Sequence, residues 1–385
     1  MKKICIAITS RGNYGHYRPI MEEIKQHPDL ELQLMAGGGA VLHDYGKLVE
    51  DDKIGEFDVE KLLYFLVEGE NPTTMAQSTG VAIQEFTSAF VDLQPDVVLA
   101  IGDRFEELAL AIATTYMNIP LAHIAGGEIS GSIDESIRHA ITKLSHLHFP
   151  CTDTAARRII QMGEPEENVH VVGTPSFDVM NELNLKDTSA VMEEQNKRGT
   201  GPVVDLDDEY LIVIQHPVTT EYEENFDYVN ETIDAIHELH IPTIWLWPNM
   251  DAGSDGLSQG IRTYRENENP DFIHFFVSLP IEQFAPLLNN AKCIVGNSST
   301  GLREAAFLGI PSVNIGNRQE GRERGGNVID VPYDSTEIKQ AIEKQLDHGP
   351  YKPDPLYGDG KTSKRIVDVL NRHEFDIQKK LDMEP

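Results

Sequence analysis

Three groups of residues in this chain have the types and spacing for chemistry. The first is a set of carboxylates, Asp103, Glu128 and Asp134. Carboxylates in unequal environments can divide a proton transfer, one taking the proton and another, kept protonated, giving one back. In so acidic a chain the plainer alternative is a solvated face, with Asp134 capping the helix that follows. The second is His216, which follows an apolar run and precedes Pro217, so its backbone is extended at a strand end. There it can donate to phosphate oxygens or act as a general acid or base. The third is the stretch 294–325, IVGNSSTGLREAAFLGIPSVNIGNRQEGRERG. Its apolar run ends in Gly296, Asn297, Ser298, Ser299, Thr300 and Gly301 before a helix-like segment carrying Glu304. Hydroxyls and glycines between a strand and a helix present donors at a helix N-terminus, which is a phosphate cradle. Glu304, one turn into that helix, would accept from hydroxyls on whatever carries the phosphate, which suits a ribose. The simpler reading is an ordinary strand, turn and helix with a serine N-cap.

Charge sets a condition on the anion reading. The 385 residues include 63 acidic and 32 basic side chains, a net charge of -31. That excess repels nucleic acid and anionic membrane surfaces, so neither is an expected partner. An anionic ligand needs arginines focused in one cleft. Arg318, Arg322 and Arg324, three within seven residues, are candidates, with Arg11 and Arg104 in turns of the first half. Cys5, Cys151 and Cys293 are an odd, widely spaced set with no disulfide framework or zinc spacing. No His, Asp or Glu grouping has metal-ligand spacing, so neither metal nor other cofactor is implied. NSSTG lacks the G-x-S-x-G form of a nucleophile elbow. The start, MKKICIAITS, is too short in apolar residues for a signal segment, and no run is long enough to span a bilayer. The expected location is the cytoplasm.

These residues need elements to hold them. The length allows two domains, and 40% apolar with 25% charged residues is a globular composition. The run 3–9 reads as a strand, 10–15 as a turn, 17–26 as a helix and 31–35 as a second strand before a glycine loop. Strands at 97–101 and 121–124 end at Gly102-Asp103-Arg104 and at Ala125-Gly126-Gly127-Glu128. The helical run 136–147 follows Asp134 and Glu135. Arg11, Asp103, Arg104 and Glu128 then fall on one edge of a parallel sheet, where ligands bind in doubly wound folds. Residues 173–208 have little period and read as the crossover to a second domain. Alternation resumes with strands at 211–214, 243–246, 274–277, 292–295 and 312–315, and an amphipathic helix covers 363–372. The expectation is an α/β chain with two doubly wound, parallel, Rossmann-like sheets facing each other across a cleft.

Six stretches in order then carry a resemblance. They are SRGNYG at 10–15, GDR at 102–104, GGEISGSIDESIRHAITKLSHLH at 126–148, QHPVTT at 215–220, PNMDAGS at 248–254 and GNSSTGLRE at 296–304. Together they resemble the hydrolysing UDP-N-acetylglucosamine 2-epimerases, the sialic- and legionaminic-acid-pathway type, over about residues 4–360. The resemblance implies a GT-B fold, with domains at 1–175 and 176–362 and a helix, 363–385, returning to the first. It implies a homodimer or homotetramer. It implies that Ser298, Ser299 and Arg11 hold a diphosphate and Glu304 the ribose hydroxyls, while Arg104, His216, Asn249 and Arg318 contact UDP and the backbone of Leu279 meets uracil. Asp103 and Asp134 match the acid/base carboxylates, Glu128 lies in the GGE motif, and His216 is carried over among the catalytic positions.

The implied activity is loss of the C2 proton and of UDP to give a 2-acetamidoglycal, then addition of water to release the free manno-configured sugar. Two departures bear on the sugar. Ala125 and Ala40 stand where many relatives carry Glu or His, and His, respectively. A less polar wall suits a 2,4-diacetamido-2,4,6-trideoxy sugar. The alternatives are a non-hydrolysing epimerase, a GT-B glycosyltransferase, and a nucleotide-sugar sensor that binds without turnover.

Overall fold

The computed structural model describes residues 1–42, 54, 57–69, 71–249 and 251–382, and of Arg11 only the backbone. Its strands are β1 (Lys2–Ile8), β2 (Leu30–Gly37), β3 (Lys61–Leu63), β4 (Val97–Ile101), β5 (Leu121–Ile124), β6 (Leu147–Phe149), β7 (Leu211–Ile214), β8 (Thr243–Leu246), β9 (Ile273–Phe276), β10 (Cys293–Gly296), β11 (Ser312–Ile315) and β12 (Val328–Val331). They form two six-stranded sheets, ordered β3-β2-β1-β4-β5-β6 and β12-β11-β10-β7-β8-β9, with every pair parallel. Read from β9, the second order repeats the first. Each sheet reverses direction once, between β1 and β4 and between β7 and β10. These switch points are where an open α/β sheet leaves a crevice.

The helices are α1 (Arg11–Gln26), α2 (Pro72–Leu93), α3 (Phe105–Tyr116), α4 (Asp134–Leu144), α5 (Asp153–Gln161), α6 (Ser176–Glu182), α7 (Ser189–Lys197), α8 (Asn225–Leu239), α9 (Ser254–Glu268), α10 (Ile281–Asn290), α11 (Glu304–Leu308), α12 (Ser335–His348) and α13 (Thr362–Arg372). Both faces of each sheet are covered. Ile4, Ile6 and Ile8 pack on one side, and Cys5 and Ala7 with Phe86 and Phe90 on the other, which is why β1 reads as an unbroken apolar run. Helix α13 returns to the first sheet and buries Ile366, Val367 and Leu370 in the core of Ile4 and Ile6. Each such side chain contributes about 1.5–3 kcal/mol before the entropy of ordering the chain. Lys2 Nζ donates to the carbonyls of Leu370 (2.8 Å) and His373 (2.9 Å), placing positive charge on the carboxyl end of α13.

Several local expectations are corrected. Residues 11–15 are not a turn but the first turns of α1. Ser10 caps that helix reciprocally with Asn13, a polar start that resembles turn chemistry in sequence. Helix α4 begins at Asp134 and ends at Leu144, and Leu147 belongs to β6. Ile133, not Asp134, occupies the cap position. The stretch 173–208 holds two helices, α6 and α7. Edge strands β3, β6 and β12 are only three or four residues long, and β12 is not buried, so alternation could not reveal them. Cys5, Cys151 and Cys293 are free and buried.

Candidate active site

The carboxyl edge of the first sheet positions its acids by two turns. β4 ends at Ile101 and the chain turns through Gly102 to Asp103 and Arg104, which precede α3. β5 ends at Ile124, and Ala125, in the left-handed region at φ 62°, leads to Gly126, Gly127 and Glu128. Helix α4 sets Asp134 in its first turn and Arg138 four residues on, along the same face. Arg138 is 1% exposed. Its guanidinium pairs with Asp103 and donates to Glu128 O (2.8 Å) and Ser130 Oγ (3.1 Å).

The second half adds two more guanidiniums to the same acids. Arg303 Nη2 donates to Glu128 Oε2 at 2.5 Å, and Arg322 lies 3.3 Å from that oxygen and 3.9 Å from Asp103 Oδ2. Three arginines from both halves thus surround two carboxylates, three positive charges against two negative, which leaves +1. Burial pushes the Asp103 carboxyl up, but Arg138, Arg322 and Arg303 outweigh it and hold Asp103 well below the usual carboxylate range. Glu128 is lowered likewise, burial being overcome by Arg303, Arg322 and Arg138. Asp134 goes the other way. Burial, with the nearby charge of Asp103, raises it to about 6, against the pull of Arg318 and a hydrogen bond from Ser132 (2.8 Å). Two neighbouring carboxyls with opposed shifts are the pattern an acid/base pair requires.

The second sheet contributes a polar frame at its own switch point. Gly296 ends β10 at φ 130°, where an added Cβ would run into the Ile214 carbonyl. Its absence lets the next residue, Asn297, clamp the β7 turn. Asn297 Oδ1 accepts from His216 N (2.7 Å) and Nδ2 donates to His216 O (2.8 Å). The N–H of Asn249 donates to His216 Nδ1 at 3.2 Å, so Nδ1 is the bare nitrogen and the ring hydrogen sits on Nε2. Burial and then Arg318 lower His216 to about 3. The ring is therefore neutral near pH 7 with its hydrogen on Nε2.

Ser298 and Ser299 are half-buried at the end of β10. Ser298 Oγ accepts from Thr300 N (3.4 Å) and caps a short 3₁₀ turn, Ser299–Gly301, as the simpler capping reading expects. Glu304 is the first residue of α11, not one turn in. It is 7% exposed, and Ser176 Oγ donates to it at 2.8 Å. Arg318 donates to Asn297 O (3.2 Å). Arg104 crosses to the second half, its Nη1 2.8 Å from Asp251 Oδ1, while Asn249 Nδ2 holds Asp251 Oδ2 at 2.6 Å. Leu279 follows β9, half-buried against the Ile214 and Leu246 core. Arg324 is a correction: it turns away from the acids and pairs with Asp330. The Arg11 side chain lies outside the described residues.

Sequence reasoning missed Arg138, Arg303, Asp251 and His16. Arg138 and Arg303 were legible in principle, one turn after Asp134 and beside Glu304. His16, on α1, has a buried Nδ1 without a hydrogen-bond partner and is pushed to about 4 by burial and Arg303, against the charge of Glu128. A lone histidine inside a helix gives no signal in sequence. Among the described residues, no group of three or more His, Cys, Asp or Glu is arranged to hold a metal ion, and no helix is long and apolar enough to cross a membrane.

Paired 3-2-1-4-5-6 parallel sheets, one for each half of the chain, define a two-domain, GT-B-like α/β protein. The model of one family, UDP-N-acetylglucosamine 2-epimerase, matches residues 22–371, and the chain belongs to that family. It is 35% identical over 370 residues to the UDP-N,N'-diacetylbacillosamine 2-epimerase (hydrolyzing) of Legionella pneumophila, covering 96% of each chain. It is 33% identical over 377 residues to the UDP-N-acetylglucosamine 2-epimerase of Neisseria meningitidis, covering 97% of this chain and 96% of that one. The fold resembles the solved UDP-GlcNAc 2-epimerase of Methanocaldococcus jannaschii in complex with UDP-GlcNAc and UDP, with TM-score 0.80, 20% identity, and 96% of this chain and 100% of that one covered.

Proposed function

We propose that the chain is a hydrolysing 2-epimerase that converts a UDP-linked 2-acetamido sugar and water to UDP and the free manno-configured sugar. The observation that carries this is the unequal pair of Asp103, held ionised, and Asp134, raised to about 6, facing arginines of the other half. The first step removes the C2 proton as the C1–O bond to UDP breaks, leaving a 2-acetamidoglycal. Water then adds at C1 while a proton returns to C2 from the opposite face. Asp134, protonated below about pH 6, is the donor of that proton, and Asp103 takes part in its first removal. Glu128, Arg138, Arg303 and Arg322 fix these acids in position.

UDP departs into preorganised donors. In this reading Ser298, Ser299 and Arg11 hold the diphosphate, neutral His216 donates from Nε2, and Arg104, Asn249 and Arg318 complete the UDP contacts. Glu304 accepts from the ribose, and the Leu279 backbone meets uracil. No metal takes part in this reading. The sugar we favour is the 2,4-diacetamido-2,4,6-trideoxy form over the N-acetylglucosamine form. Ala40 and Ala125, buried beyond the ends of β2 and β5, bring no polar side chain to that edge, and the Legionella relative is named for such a sugar.

We further infer functional units at 1–175, 176–362 and 363–385, supported by strands β1–β6 and β7–β12 falling in separate sheets and by the return of α13. Assembly is as a homodimer or homotetramer, the state that the family resemblance implies. A cytoplasmic location is part of this reading, and buried, unpaired Cys5, Cys151 and Cys293 are in keeping with it. The reading is tested by incubating the protein in D₂O with UDP-N-acetylglucosamine and, separately, with the 4-acetamido-6-deoxy analogue. NMR should show UDP release with deuterium at C2 of the product. UDP binding without release or deuterium at C2 leaves a sensor, and release of UDP only with an acceptor leaves a glycosyltransferase.

A further inference from the structure

The loop between β8 and α9 carries an acid to which the proposed reaction gives no role. Asp251 is 8% exposed, and its side chain does not cap α9, whose cap position is Gly253. Gly253 sits at φ 94°, where an added Cβ would run into Asn225 Nδ2, so the path of the loop is fixed. The loop touches the first half twice. Ala252 N lies 3.3 Å from Met75 Sδ on α2, and Asp251 Oδ1 accepts from Arg104 Nη1 at 2.8 Å. The other oxygen, Oδ2, accepts from Asn249 Nδ2 at 2.6 Å, and Asn249 N donates to His216 Nδ1 at 3.2 Å. A chain of three hydrogen bonds thus runs from Arg104, next to Asp103, to His216 at the switch point of the second sheet.

What the chain controls is the pose of Arg104. In its own half, Nε and Nη2 each stand 3.1 Å from an oxygen of Glu106, a fully buried carboxylate. That forked pair holds one edge of the guanidinium to the first half. Asp251 holds Nη1 from the second half, and the remaining N–H groups, on a side chain 21% exposed, are left for a ligand. The pose of Arg104 relative to His216 therefore depends on Asp251, since Glu106 belongs to the first half alone. Both partners of the Asp251 carboxylate are donors, so Asp251→Asn loses one link of the chain whichever way its amide turns. Arg104 stays paired with Glu106 in that variant, and no buried charge is stranded.

We propose that Asp251 is a positioning residue, which sets the Arg104 guanidinium and the His216 ring against the same diphosphate across the cleft. This role rests on the reaction proposed above. A bystander negative charge would hinder the departure of UDP, so its removal would speed turnover; a lost positioning contact slows it. Steady-state kinetics of UDP release by the full chain separates the two. Asp251→Asn is expected to lower kcat by about 10- to 100-fold, with KM changed by less than about threefold. Arg104→Lys keeps a cation for Glu106 but not the fork. If Asp251 acts through Arg104, adding Asp251→Asn to that variant lowers kcat by less than about twofold more. Urea unfolding of the parent, the two single variants and the double variant measures the contact itself, with an expected coupling of about threefold or more in the unfolding constant. Additive losses in kcat, turnover kept or raised by Asp251→Asn, a rise in KM alone, or no coupling in unfolding overturns the proposal. A parent chain that releases UDP from neither sugar fails the proposed reaction instead, and the unfolding cycle then decides by itself whether Asp251 sets Arg104.

Discussion

Arg303 of the second half and Glu128 of the first meet across the cleft, Nη2 standing 2.5 Å from Oε2, with both side chains nearly closed to solvent. The pair joins the segment after β10 to the loop after β5, and Arg322, 3.3 Å from the same Glu128 oxygen, adds a second buried tie between the halves. Glu128→Gln removes the charge that Arg303 and Arg322 share. The expected loss of folding stability is about 3–5 kcal/mol, because two buried guanidiniums lose their counter-charge. Urea denaturation measures it, and a loss below about 1 kcal/mol would show that the contact is incidental.

Asp134→Asn and the double change Ser298→Ala/Ser299→Ala should separate by kinetics. The first lowers turnover by about 10²–10⁴-fold, the usual range for a lost general acid, and leaves the UDP dissociation constant nearly unchanged. The second weakens UDP binding by about tenfold or more through lost hydrogen bonds. Identical signatures from the two would refute the division of roles.

The pH dependence of turnover follows from Asp134. With its carboxyl raised to about 6, the proton it donates is present below that pH and lost above it. Turnover is therefore expected to fall as pH rises through about 6, and the Asn variant should show a flat profile at a lower level. A wild-type rate that climbs through the same range would assign Asp134 as the base instead.

Glu107 carries a stability prediction of opposite sign from the usual carboxylate. It is 1% exposed beneath the first turn of α1. Asn13 Nδ2 donates to it at 3.2 Å, and burial, then the charge of Glu106, raise it to about 8. Its unfolded value is about 4.3. Between those values the folded state binds the extra proton, so stability is full below about 4.3 and declines as pH rises toward about 8. Glu107→Gln should flatten that decline in a series of denaturation curves. An unchanged slope would mean that this carboxyl is not the source.

Removing Lys379 should loosen the tail. Its Nζ lies 2.8 Å from Glu164 Oε2, and that 1%-exposed carboxylate also accepts from Lys143 (2.5 Å) and pairs with His148 (3.1 Å). Lys379→Met leaves a buried acid short of one cation, and faster amide exchange over residues 373–382 than in the rest of the first half is expected. Exchange no faster than in the parent would place the tail's anchor elsewhere.

Much of this molecule was readable from order alone, because parallel strands buried on both faces are unbroken apolar runs and their crossovers end in conspicuous glycines. The runs 97–101, 211–214 and 312–315 coincide with β4, β7 and β11 to the residue. The acids after β4 and β5 and the hydroxyls after β10 were visible because switch-point turns lie where the pattern breaks. The edge strands β3 and β12 were not visible, since three or four mostly half-exposed residues carry no period, and the three residues of β6 are too few to read apart from the helix before them. Nor was the capped start of α1, whose Ser, Gly and Asn imitate a turn.

Residue order therefore determined the two sheets and the edge on which each candidate group sits. Only the folded chain decided which charges meet. Arg138, Arg303 and Arg322 are separated from Asp103 by 35, 200 and 219 residues, yet gather around Asp103 and Glu128, and their field lowers Asp103 while Asp134 rises. A carboxyl's proton affinity depends on burial and on charges within a few ångströms, and neither quantity is a property of the neighbouring letters.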